Sequence, residues 1–416
     1  MNVELQINNS LNRSERFLGW SPSPCRVRVT NPSGVLTPTV SVKLTGVSSS
    51  GGGEVVFRAG TSGAFSSTLV LTVPVTGASV AFFCAGKFGK PSSQVGDVKI
   101  EARTGTTLVG SVSVMVRVRK NANRLSTGER DRFIAAFAQL NNQGLGRFTD
   151  FREMHTAASD PEAHGGPGFL PWHRAYLLDL ERELQAIDPS VALPYWRFDQ
   201  PAPNLFTTGF IGRADATGSV QFASSNPLRF WKTDGVLGFD RLPDFNTTTQ
   251  SPSLRTEVQT LALGLDPADT TPVHRYKNLR RLEGNPHGSA HVSFDGSIDS
   301  IPTAARDPLF FLLHCNVDRL WAKWQKQQQR FDSTVVESYQ TQPGNRVGHK
   351  LPDTMWPWNG VVTPPRPTTA PGGSLAPSTI VGSPGSQPRV RDMLDYQGAI
   401  TPSNRQAFDY DDVAFT

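Results

Sequence analysis

Through residues 1–120 apolar and polar side chains alternate in short bursts. Val3/Leu5/Ile7, Cys25/Val27/Val29, Val40/Val42/Leu44, Val98/Ile100/Ala102 and Val112/Val114/Val116/Val118 each set an apolar group at every second position. That period turns one face of a strand toward a core. Glu54–Phe57, Thr68–Val73 and Ser79–Cys84 read as further strands, with turn chemistry at Asn31-Pro32-Ser33-Gly34 and Ser48–Gly53. Short strands so closely spaced predict a β-sandwich. Cys25 and Cys84 can both face its interior, as thiols in a reducing compartment or as a disulfide in an oxidising one.

The period changes after Lys120–Leu125. Ser126-Thr127-Gly128-Glu129 has the form of a capping box, and Phe133, Phe137 and Leu140 follow as a helical stripe. Helices are expected to dominate as far as residue 330. The arm from Gln200 to Arg281 reads as mixed, with a helix near Leu254–Leu263. Asn359–Val390, dense in Pro, Gly, Ser and Thr, predicts a long wrapping loop. The expected architecture therefore has two domains. An N-terminal β-sandwich takes 1–120, and a mainly α helical bundle takes 121–416, with its core at 126–330 and an irregular C-terminal segment at 331–416.

Histidine placement carries the chemistry. In HTAASDPEAHGGPGFLPWHRAYLLDLERE, His173 shares a helical face with Leu177, Leu180 and Leu184 and so points inward. A buried imidazole without a partner costs about 1–3 kcal/mol, and a lone one reads as a core histidine bonded to a carbonyl. Here the pattern recurs. His155 lies on a face with Phe148 and Phe151, and His164 sits on the loop between. NPHGSAH places His287 and His291 four apart on one face of a helix that Asn285 can cap and Pro286 can start. After Asp307-Pro308, the residues Phe310, His314, Val317, Trp321 and Trp324 line another inward face. Asp318, one turn below His314, can accept from the second nitrogen of a ligand histidine and fix its tautomer, or pair with a basic residue such as Arg319. His274 and His349, in polar surroundings, read as surface residues. Two triplets of neutral imidazoles without a ligand carboxylate suit copper. Di-iron and di-zinc sites in bundles mix in Asp or Glu.

Composition removes other classes. The 416 residues are 37% hydrophobic and 19% charged, with a net charge of +5 spread along the chain. No basic patch for nucleic acid and no apolar run of membrane-spanning length are visible. The opening MNVELQINNSLNRSERF lacks a signal-peptide core, so a cytoplasmic location is expected. Oligomeric state is not legible.

HGGPGFLPWHRAYL, LPYWRFD, RLEGNPHGSAH and DPLFFLLHCNVDRLWAKW resemble the common central domain of tyrosinases and catechol oxidases, the type-3 copper family, over about Ser126–Arg330. PDTMWPWNG, VRDMLDYQ and Tyr410-Asp411 echo it more weakly. The resemblance implies two copper ions, copper A on His155, His164 and His173 and copper B on His287, His291 and His314, acting on phenols with O2. Plant and many fungal members link a cysteine to the second copper A histidine. No Cys outside the β-stretch precedes His164, so that link is expected to be absent. Many tyrosinases carry Asn after the first copper B histidine, where with a nearby Glu it holds a water that deprotonates phenols. Here Glu283 is present, but Gly288 follows His287. Gly288, Val292, Ile301 (the residue expected to overhang copper A) and Phe310 are expected to line the substrate pocket, with Glu283 and Asp318 assisting catalysis. The reaction so implied converts o-diphenols or o-aminophenols to o-quinones. A full tyrosinase and a haemocyanin-like oxygen binder are the alternatives.

Overall fold

Every alternating stretch forms a strand with its apolar set turned inward. In the computed structural model, which describes residues 1–242, 254–340, 347–363, 371–376, 378 and 381–415, the strands are β1 (Asn2–Ile7), β2 (Phe17–Leu18), β3 (Ser23–Asn31), β4 (Thr39–Ser48), β5 (Val55–Arg58), β6 (Thr68–Pro74), β7 (Val80–Gly86), β8 (Val98–Thr104) and β9 (Thr107–Val116). They make a four-stranded sheet in the order β1-β3-β7-β5 and a five-stranded sheet in the order β2-β9-β8-β4-β6. Val27, Phe57 and Cys84 of the first sheet share one core with Val42, Ile100 and Val114 of the second. Cys25 and Cys84 are buried free thiols.

The chain divides into two compact units. The first gathers Met1–Val118 and, from the far end of the sequence, Ala407–Phe415; the second is built from residues between Arg119 and Gln406. The C-terminal stretch therefore differs from the expected grouping of all of 331–416 with the helices. The cause is polar. Asp409 Oδ2 accepts from the backbone N–H groups of Trp20 (2.9 Å) and Ser21 (3.1 Å), and Trp20 Nε1 donates to Tyr410 O (2.8 Å). Within the expected wrapping loop at 359–390, residues 364–370, 377 and 379–380 fall outside the described residues.

The second unit contains α1 (Thr127–Asn141), α2 (Phe148–Met154), α3 (Asp160–Ala163), α4 (Phe169–Ile187), α5 (Glu257–Ala262), α6 (Tyr276–Leu279), α7 (Ser289–His291) and α8 (Leu309–Gln328). Ser126 and Glu129 form the capping box of α1. The helix expected at Leu254–Leu263 is shorter, because Thr256 and Gln259 cap it at Thr256. No helix among the described residues is long and apolar enough to cross a membrane.

A buried ionic network ties α4 to α8. Arg174 Nε donates to Asp318 Oδ1 (2.6 Å), its NH1 reaches Gln325 Oε1 (2.9 Å) and Met393 O (2.6 Å), and its guanidinium lies 3.7 Å from the Trp321 ring centroid. Arg119 bonds Asp318 Oδ2 (3.2 Å) and Glu181 Oε2 (2.8 Å). These side chains are essentially unexposed. With its charges paired, the network fixes the helices in the register that lays His173 against His314, their rings parallel within 7° and 4.2 Å apart.

Candidate metal centre

Each triplet converges. The ligand nitrogens of His155, His164 and His173 lie within 4.8 Å of one another, as do those of His287, His291 and His314. His173 projects from the second turn of α4 and His314 from the second turn of α8, both from buried faces. His155 ends α2, and His164 ends the single turn α3. His287 and His291 lie on a helical turn, as expected, but Asn285 does not cap it. Its backbone is extended and its side chain accepts instead from the Arg255 backbone N–H (2.9 Å).

Backbone carbonyls set the ring orientations. The Nδ1 atoms of His155, His173, His287 and His291 donate to Ile301 O (3.1 Å), Phe169 O (2.8 Å), Glu283 O (2.7 Å) and Ile298 O (2.7 Å). With the proton on Nδ1, each Nε2 lone pair is free for a metal. Within the triplets, Nε2 of His155 is 3.3 Å from that of His164, and Nε2 of His314 is 3.2 Å from that of His291. His173 Nε2 is buried without a hydrogen-bond partner. Such convergence of unprotonated nitrogens is what a metal ion satisfies, and the all-imidazole donor set fits copper.

Two expectations need correction. Asp318 does not serve a histidine, because Arg174 and Arg119 take its oxygens across the α4–α8 contact. The carboxylate that approaches a ligand's second nitrogen is Asp160, whose Oδ1 lies 3.1 Å from His164 Nδ1. Phe310 does not line the pocket. Its helical phase buries it behind the histidines, its ring 4.6 Å from that of His155 and 4.3 Å from that of His314. Glu283, Gly288, Val292 and Ile301 do line a cavity of about 230 Å³ that opens onto His155, His164, His287 and His291. Asp299 and Ala304, which sequence reasoning missed, complete its wall. The segment Ile298–Ile301 thus orients one ligand of each triplet through its carbonyls while its side chains shape the mouth.

Burial, then the neighbouring imidazoles, push the pKa values of His155, His173 and His314 well below the ordinary histidine value of 6.5. Burial also depresses His287, and His291 falls to about 4. The rings stay neutral, as ligands must. The folded value lies below the unfolded one, so this contribution to stability is present above pH 6.5 and is lost as pH falls toward 4. For His291 alone it is about 3 kcal/mol. Thermal melts of metal-free protein are expected to show a falling midpoint between pH 6.5 and 4. A flat profile across that window would contradict the buried-imidazole account.

Comparison with known proteins agrees with this geometry. The family model "common central domain of tyrosinase" matches residues 145–327. Tyrosinase of Streptomyces glaucescens is 35% identical over 266 residues, covering 58% of this chain and 92% of that one. Tyrosinase of Streptomyces galbus is 33% identical over 271 residues, covering 59% and 94%. Among solved structures, a functional unit of octopus hemocyanin superposes with a TM-score of 0.43 at 21% identity, over 72% of this chain and 69% of that one. The chain belongs to the tyrosinase family. It is a type-3 copper polyphenol oxidase, its two histidine triplets the places for two copper ions.

Proposed function

We propose that this enzyme oxidises o-diphenols, or close analogues such as o-aminophenols, to o-quinones with O2 and hydroxylates monophenols weakly. Two diphenols each give up two electrons and two protons, and one O2 takes all four of each and leaves as two waters. The six histidines would hold the two coppers, and the copper pair when bound supplies the electron relay between phenol and O2. Ile301, Val292 and Ala304 give the cavity an apolar wall for a flat ring. The carbonyls of Ile298 and Ile301 keep two ligand rings from turning as substrate enters.

The observation that carries the diphenol preference is the state of Glu283. Its Oε1 accepts a hydrogen bond from the Gly165 backbone N–H, and Arg280 lies 3.6 Å from Oε2. Gly288, which follows His287, has no side-chain amide to share a water. Removing a phenolic proton needs a positioned base, whereas a catechol arrives with both hydroxyls able to meet the metals. A Cβ at Gly288 would lie 3.3 Å from Glu283 O, so a side chain there requires that carbonyl to give by a few tenths of an ångström. Gly288→Asn is expected to raise the monophenol-to-diphenol rate ratio by about tenfold, less than the roughly 10²–10⁴-fold a fully positioned base supplies. Paired initial rates on a monophenol and its catechol measure this. Brisk, lag-free hydroxylation by the unsubstituted enzyme would overturn the proposal and favour a full tyrosinase. A stable oxygenated form without catechol turnover would favour an oxygen carrier.

A further inference from the structure

His349 is not the surface residue its Gly348 and Lys350 neighbours predict. It is fully buried, and both ring nitrogens are engaged. Nε2 donates to Pro161 O (3.1 Å), and Nδ1 accepts from the Gly168 backbone N–H (3.0 Å). These partners are the two ends of the loop that carries His164 and leads into α4, the helix of His173. One imidazole thus spans the segment that carries one copper A ligand, His164, and leads to another, His173.

The ring is itself fixed. The His349 carbonyl accepts from Tyr339 OH (3.0 Å), and its N–H donates to Asp353 Oδ2 (3.2 Å). The segment around it presses closely on the loop. A Cβ at Gly168 would fall 2.3 Å from Gly348 O, and one at Gly348 would fall 2.5 Å from Glu162 Cγ. Glu162 Oε1 in turn accepts from the Trp356 N–H (2.9 Å), and Trp172 Nε1 donates to Trp356 O (2.7 Å). Residues 348–356 therefore form a strap across loop and helix start, with His349 bridging the loop's ends.

We propose that His349 is a positioning residue for copper A, closing the 161–168 loop so that His164 and His173 reach the same ion. The loop's own Gly165, Gly166 and Gly168 leave it many conformations, and an unclosed loop would spend much of its time with His164 turned away. The loop touches the copper B side only through bonds such as that from the Gly165 N–H to Glu283, so copper B is expected to loosen less than copper A. The inference rests on copper occupying the site and not on which phenol is oxidised.

The test compares His349→Phe, which keeps a ring but neither hydrogen bond, with His349→Gln, which keeps a donor and an acceptor. Copper-loaded proteins are dialysed against a graded chelator and read by elemental analysis and electron paramagnetic resonance. A coupled copper pair is silent in resonance, and an isolated Cu(II) is not. His349→Phe is expected to release the copper A ion about tenfold more readily, the low end of what losing a ligand's own hydrogen-bond partner costs, because the ring acts on the loop and not on a ligand. One copper should remain with a signal of isolated Cu(II), and His349→Gln should restore most of the loss. Should His349→Phe fail to fold, Gly168→Ala, whose Cβ would push the strap off, is read the same way. Retention of both ions, or their joint loss, would overturn the proposal, provided the unsubstituted protein binds two.

Discussion

His173→Ala is expected to leave one copper per chain and to abolish O2-dependent oxidation of catechol. The ring sits at the centre of the site, stacked 4.2 Å from His314 of the other triplet and 4.7 Å from Phe169. Its Nε2 has no protein partner to stand in for a metal. Removing it leaves copper A two imidazoles, too few to compete with chelators at ordinary concentrations. A four-electron reduction of O2 then has only one metal to work through. Copper B should survive, because its rings are oriented by Glu283 O and Ile298 O, which the substitution does not touch. His314→Ala should show the mirror result. Elemental analysis together with oxygen uptake measures both, and retained turnover with one copper would sink the paired-metal account.

Asp318→Ala should act on folding before it acts on metal. Its oxygens meet Arg174 at 2.6 Å and Arg119 at 3.2 Å, and all three side chains are shut from water. Deleting one member of a buried ion network leaves the others charged and unpaired, at a cost of about 3–5 kcal/mol. Glu181 still answers Arg119, and stacking on Trp321 and Tyr396 still holds the Arg174 guanidinium, so the lower half of that range is expected. Urea unfolding of metal-free protein measures it. A loss below about 1 kcal/mol, with copper affinity reduced, would restore the role of histidine partner that Asp318 was expected to have.

What could be read from the sequence divides along a physical line. Alternation in Val3/Leu5/Ile7 or Val98/Ile100/Ala102 is local, and each such stretch became a strand with those residues buried. Helical spacing placed His173 and His314 on apolar faces for the same reason. Asp318 also has helical spacing from His314, yet its partners come from Arg174 and Arg119, remote in sequence, and local periodicity cannot choose between them. His349 owes its burial to the loop it bridges and not to its own neighbours, so the local sequence carries no sign of it. Asp409, likewise, gives no local sign that it will accept from Trp20 and Ser21 at the other end of the chain. The short backbone-bonded segment Ile298–Ile301 has no motif at all, and its role appears only with the carbonyl directions.

The central claim is that two histidine triplets hold a pair of coppers facing one cavity. Anomalous diffraction from copper-loaded crystals, recorded on both sides of the copper and zinc absorption edges, tests it most directly. Two copper peaks are predicted, one among His155, His164 and His173 and the other among His287, His291 and His314. A single peak, or a signal appearing only at the zinc edge, would contradict it.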